Sequence, residues 1–127
     1  MTTTAWEGTD LAQIDQHDEA HIASLRPDGT LTSSRIIWAV TLDGRVYIRS
    51  VNGPDAAWYR STRHRHEGQL TVGRSVMDVT MLDVEPTDGI QERIDGAYRA
   101  KYAAYPGPVA RITADQARAT TLELVPR

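Results

Sequence analysis

The sequence predicts a mainly β chain of the α+β kind, a small β-barrel with two to four short helices packed on it. Three observations carry this. Short β-rich runs recur along the chain, each bounded by Gly, Pro, Asn or Asp. Two of them, 35–42 and 45–51, are joined by Asp43-Gly44, a strong two-residue hairpin signal. Helical spacing of apolar residues occurs over few stretches, chiefly around Leu11 and Ile14 and around Ile90, Ile94, Ala97 and Tyr98.

Taken in order, residues 9–18 read as a helix capped by Thr9 or Asp10, with Leu11 and Ile14 on one face. His21 to Leu25 is a short strand, and Arg26-Pro27-Asp28-Gly29 a turn. Thr30 to Leu42 is β-rich and returns through Arg45 to Val51. Alternation on the return puts Val46 and Ile48 on one face and Arg45, Tyr47, Arg49 and Val51 on the other. Asn52-Gly53-Pro54-Asp55 breaks the strand, and Asp55 caps a helix reaching about His66. Gly68 to Gly73 and Ser75 to Val84 are two further strands; apolar residues on both faces of the second predict that both are covered. Pro86-Thr87-Asp88 opens a helix through about Tyr102, which Pro106-Gly107-Pro108 ends. A short helix over 112–117, capped by Thr113, and a strand over 120–125 close the chain.

Composition sets the bounds. The 127 residues contain no cysteine, which removes disulfides, thiolate metal sites and cysteine nucleophiles. No apolar run is long enough for a membrane-spanning helix, and Met1 to Glu7 has neither the basic start nor the apolar stretch of a signal peptide. A cytoplasmic protein is the expectation. A net charge of -3 speaks against nucleic acid as a partner and leaves a small-molecule substrate. The basic residues are nonetheless uneven: Arg60, Arg63, His64, Arg65 and His66 cluster in a mildly acidic chain, which suits a small anion better than a polyanion.

The candidate site follows from the hairpin. Arg35, Arg49 and Ser50 are expected on adjoining strands, with Trp58 and Arg60 after the loop. Arginine binds phosphate through two parallel hydrogen bonds, serine adds a hydroxyl, and tryptophan offers a planar wall. The plain alternative is that the arginines are exposed strand residues and Trp58 is core. His17 and His21 have the i, i+4 spacing of a zinc helix, but Asp18 stands where the metalloprotease motif has Glu and no third ligand is in view, so no metal is expected. Asp83 and Glu85 read as sheet-edge or salt-bridge carboxylates.

Ile37-Trp38-Ala39-Val40, Asp43-Gly44, Val46 to Ser50, Gly53, Trp58-Tyr59-Arg60, Ala97-Tyr98-Arg99 with Lys101-Tyr102, and Ala119 to Leu122 with Pro126-Arg127 together carry a resemblance. The chain resembles the flavin-binding split-barrel superfamily of pyridoxamine-phosphate oxidases and deazaflavin-dependent reductases, and within it one small family. The resemblance implies one domain over residues 1–127, a six-stranded antiparallel split barrel, and a homodimer with ligand sites at the subunit interface. It implies an FMN or deazaflavin cofactor, with phosphate near Arg35, Arg49, Ser50 and Arg60, the ring along Ile36, Ile37 and Trp38, and Gly53 and Trp58 completing the site. Hydride transfer to or from a small organic substrate would follow, with His64 or Tyr47 as proton donor. Two other readings stay open. One is a cofactor-free acid-base enzyme, an isomerase or cyclase of small-metabolite biosynthesis, working in the interface pocket through His64, His66, Tyr98 or an Asp. The other is a non-catalytic ligand-binding module.

Overall fold

A computed structural model describes residues 6–127. Helix α1 (Gly8–Gln16) precedes strands β1 (Ala20–Ser24), β2 (Arg35–Ile37), β3 (Ala39–Leu42) and β4 (Arg45–Ile48). Helix α2 (Ala57–Thr62), strands β5 (Glu67–Val72) and β6 (Ser75–Asp83), helices α3 (Ile90–Lys101), α4 (Pro106–Ile112) and α5 (Asp115–Arg118), and strand β7 (Leu122–Pro126) follow. The strands form one antiparallel sheet in the order β2-β1-β5-β6-β7-β4-β3, curled into a nearly closed split barrel.

The expected run over 30–42 is two strands, not one. Its chain breaks at Trp38, so β2 pairs with β1 while β3 pairs with β4. Arg35 and Arg49 therefore do not lie on adjoining strands. The hairpin itself follows the Asp43-Gly44 signal: both residues have positive φ, 53° and 78°, as the tight primed turn requires.

The alternation along β3 and β4 separates two apolar clusters. Ala39, Val46 and Ile48 point into the barrel, where Ile22, Leu70, Val72, Val79, Met81, Leu122 and Leu124 meet them. Ile14 of α1 closes this core, and the Trp6 indole donates to the Leu124 carbonyl at 2.9 Å. Val40 and Tyr47 point the other way, onto Ile94 and Tyr98 of α3, Tyr102 just after it, and Val109 and Ile112 of α4. Gly68 is required by proximity: a Cβ there would collide with the Ala23 carbonyl and the Met81 methyl. Only one face of β6 is covered. Val79 and Met81 are buried, whereas Val76 and Leu82 are 61% and 47% exposed.

Helix ends differ from expectation. α1 begins one residue before Thr9, and the Asp10 carboxylate accepts from Ser75 Oγ rather than capping. A 3-10 turn, Gly53–Asp55, precedes α2, which ends at Thr62. Pro106 does not merely stop α3; it opens α4, where a missing N–H costs nothing. Thr113 closes α4 by donating to the Val109 carbonyl at 2.8 Å, and does not cap the next helix.

One side chain ties these pieces together. Arg49, immediately after β4, is fully buried. Its Nε donates to Thr121 Oγ1 at 2.9 Å, one terminal nitrogen to Asp95 Oδ1 at 2.6 Å and the Ile112 carbonyl at 3.1 Å, the other to the Gln91 carbonyl at 3.2 Å and Gln91 Oε1 at 2.7 Å. All five guanidinium donors are thus used inside the protein. Burial pushes the Asp95 carboxyl up, but hydrogen bonds from Arg118 and Arg49 outweigh it and hold the group below the usual carboxylate range. A half-buried cation, Lys101, donates to the Ile14 and Ala39 carbonyls at 2.6 and 2.7 Å, tying α3 to α1 and β3. Burial lowers its ammonium to about 8, against the pull of Asp15 and Asp18.

Removing Arg49 leaves Asp95 in the interior with a half-exposed partner. Arg49→Met is expected to cost about 3–5 kcal/mol in urea unfolding; a loss below about 1 kcal/mol would refute the buried hub. Because the folded pKa of Asp95 lies below its unfolded value, its contribution is complete above about pH 4 and fades as the folded group protonates in more acid solution. Stability curves of the wild type and Asp95→Asn should converge toward low pH; parallel curves would show that Asp95 is not held ionised.

Candidate functional site

Beside this hub lies a cavity of about 450 Å³, within the usual range for small-molecule sites. Its walls come from three places. Strand β2 and the break after it supply Arg35, Ile36, Ile37 and Trp38. The segment from β4 to α2 supplies Arg49, Ser50, Val51, Asn52, Ala56, Ala57 and Trp58, and α4 supplies Pro108, Arg111 and Ile112.

Trp38 is the best-fixed aromatic wall. Its ring stacks on Tyr102 with centroids 3.8 Å apart and planes 4° from parallel. Its carbonyl accepts from the Tyr98 hydroxyl at 2.8 Å. Burial pushes both tyrosine hydroxyls well above their ordinary range, so they stay neutral donors. Trp58 faces the cavity from the start of α2 and packs edge-on against Tyr59.

Ser50 is the anomaly. Its N–H donates to Thr120 Oγ1 at 2.8 Å, but its own hydroxyl is buried and has no hydrogen-bond partner, the only such side-chain atom among the described residues. Such a group normally finds a partner, and this one sits in a cavity wall. The lining also has an uneven charge. Arg35 and Arg111 make no ion pair among the described residues, and no Asp or Glu is present in the wall. The chain has more carboxylates than cations, 17 against 14, so a wall of this composition departs from its average.

Of the residues expected to hold a cofactor, Arg35, Ile36, Ile37, Trp38, Ser50 and Trp58 meet at this cavity. Arg49 also lines it, but corrects the expectation: its guanidinium is turned into the protein with every donor used, leaving none for a phosphate. Gly53 and Arg60 are outside the lining; Gly53 serves the turn after Ser50 with φ 77°, and Arg60 is an exposed residue of α2. Neither expected proton donor reaches the cavity. Tyr47 is packed under α3, and His64 is exposed at the far end of α2. The surrounding basic cluster is answered locally, Arg63 by Asp83 at 2.5 Å and Arg65 by Glu67 at 3.0 Å, with His66 3.5 Å from Asp83. The Arg63 hydrogen bonds in turn hold the Asp83 carboxyl below its usual range. His17 and His21 lie instead on an open cleft of about 770 Å³ with Asp18, Glu19 and Tyr105.

Arg111 and Asn52 were not singled out from sequence. Asn52 Oδ1 accepts from Arg111 at 2.8 Å. The available signal was Pro106-Gly107-Pro108, which marks a helix start as well as a helix stop.

No curated protein matches this sequence. Solved structures match it closely in fold at low identity. HutZ, the heme storage protein from Vibrio cholerae, is 9% identical, with a TM-score of 0.71 over 94% of this chain and 89% of that one. An F420-H2 dependent reductase, FDR-A, is 16% identical, with a TM-score of 0.62 over 86% and 94%. A Listeria innocua protein described as a candidate pyridoxamine 5'-phosphate oxidase is 15% identical, with a TM-score of 0.60 over 94% and 90%. These likenesses establish the split-barrel fold expected from the sequence. Residues 10–124 match the family described as "Uncharacterized protein conserved in bacteria (DUF2255)", and the chain belongs to that family.

Proposed function

We propose that this protein is a flavin- or deazaflavin-binding oxidoreductase acting on a small organic substrate. The observation that carries this reading is the buried Ser50 hydroxyl, without a hydrogen-bond partner among the described residues, in a cavity walled by two tryptophans and by Arg35 and Arg111, which make no ion pair among those residues. A planar ring with an anionic tail suits those groups. When bound, the cofactor supplies hydride transfer; the protein's share is to hold and orient it and exclude water. Trp38 and Trp58 bound the ring, Ile36 and Ile37 line it with apolar surface, and Arg35 and Ser50 meet polar groups.

The lining favours this reading over the cofactor-free acid-base enzyme. Among its described residues there is no His, Asp, Glu, Lys or Tyr to move a proton. It also lacks the His, Met or Tyr that would ligate heme iron, so the likeness to a heme storage protein is not carried to this cavity.

A second copy of the chain is the proposed partner. Cross-strand pairing aligns Ile36, His21, Thr71 and Val76 in one row on the outer sheet face, whose apolar ends Ile36 and Val76 are 56% and 61% exposed. Ile36 also lines the cavity, so a subunit covering that row would close the ligand site. Light scattering should give twice the chain mass, and Val76→Glu should reduce it to one; a wild-type monomer at high concentration contradicts the homodimer.

An absorbance spectrum after adding FMN or the deazaflavin F420, then desalting, tests the cofactor. A retained visible band is expected, followed by bleaching on reduction. No retained band with either compound removes the flavin reading. Ser50→Ala refines the test: it should leave the melting temperature unchanged or raised, since it deletes an unsatisfied hydroxyl, while weakening cofactor binding about three- to tenfold. Lower stability with unchanged affinity would assign Ser50 to the fold alone.

A further inference from the structure

We propose that Arg111 of α4 anchors the anionic group of the cavity's ligand, a small ring-bearing molecule carrying an oxyanion. This rests on the reading of the cavity as a ligand site, and it assigns the charge recognition to a helix outside the hairpin. The first reason is exclusion. Arg49 has no donor to offer, and Arg60 is not in the wall, so the cavity's available guanidinium groups are those of Arg35 and Arg111.

The second reason is preorganisation. The carbonyl of Ile112, next to Arg111, is held by the buried Arg49 at 3.1 Å, and Val109 and Ile112 are themselves buried. The α4 backbone is thereby fixed where Arg111 leaves it. At its far end, the guanidinium donates to Asn52 Oδ1 at 2.8 Å. Asn52 is neutral, so it positions the fork without cancelling its charge, and it occupies one of five donors. Arg35 has less support: it is exposed on an edge strand, with a side-chain bond to the neighbouring Ser34 carbonyl at 3.3 Å.

The third reason is convergence. Asn52 lies two residues beyond Ser50, whose buried hydroxyl lacks a partner, and all three residues line the same cavity. A planar guanidinium and a hydroxyl donor suit a phosphate monoester or a carboxylate, and the surrounding wall has no acidic group to repel it. Asn52 is a positioning residue here; Arg111 contacts the ligand.

The test uses full-length protein and four probes: FMN, riboflavin, inorganic phosphate and benzoate. Flavin affinities come from calorimetry. The wild type is expected to bind FMN more tightly than riboflavin, and Arg111→Gln to weaken FMN about tenfold or more, to the riboflavin level, with riboflavin unchanged. Arg111→Lys should recover part of the difference. Arg111 is exposed, and an unchanged melting temperature of the variants without ligand shows that they fold. A wild type with no preference for FMN, or a preference that survives in Arg111→Gln, overturns the proposal. If the wild type binds neither flavin, the cofactor reading fails, and the anchor is judged separately. Phosphate or benzoate should then raise the melting temperature relative to chloride at equal ionic strength in the wild type and not in Arg111→Gln. A response to phosphate alone or to benzoate alone tells which oxyanion is recognised, and no Arg111-dependent response to either overturns the anchor.

Discussion

The buried Arg49–Asp95 pair is the constraint on which the rest of the molecule depends. Taking a guanidinium out of water is tolerable only when each N–H finds an acceptor, and here the acceptors come from four residues in three separate parts of the chain. Gln91 and Asp95 are in α3, Ile112 ends α4, and Thr121 precedes β7. The barrel core is made by non-directional apolar contact, which fills space but permits small displacements of the helices. The guanidinium adds direction: α3 and α4 can satisfy it in one placement. Arg118 of α5 takes the other Asp95 oxygen, which extends the same constraint to the last helix.

The cavity inherits its shape from that hub. Ser50 follows Arg49 directly, and Arg111 precedes the carbonyl that Arg49 holds. The hub thus fixes two walls without presenting a donor to the interior. The third wall depends on Trp38, where one β-rich run divides into two strands at opposite edges of the sheet. Stacking on Tyr102 and the hydrogen bond from Tyr98 hold that break in place, so α3 sets the aromatic surface as well as the hub's acceptors.

Charge is divided accordingly. Most arginines with ion-pair partners are at the surface, as with Arg63 and Asp83, where screening leaves each pair little to contribute. The buried one serves the fold. Arg35 and Arg111 face a wall free of carboxylates, which is where an anion meets the least competition. The same residue type thus performs three tasks, and the surroundings alone distinguish them.

The sequence by itself determined the local features. Asp43-Gly44 specified its turn through the positive φ both residues tolerate. Alternation specified which residues of β4 face the barrel, because the strand period is two. Ile14, Ile94 and Tyr98 marked the buried faces of α1 and α3 through helical spacing. Six of the nine expected cofactor residues meet at the cavity, and a seventh, Arg49, lines it with its donors spent on the fold, since nearness along the chain and the split-barrel resemblance both pointed there. Only the tertiary structure decided what the outward residues of β4 do. Alternation cannot tell an outward arginine in water from one beneath a helix, and the helix that buries Arg49 holds its carboxylate 46 residues away. It also decided that Arg111 reaches the cavity from 59 residues beyond Asn52, a separation no local periodicity spans.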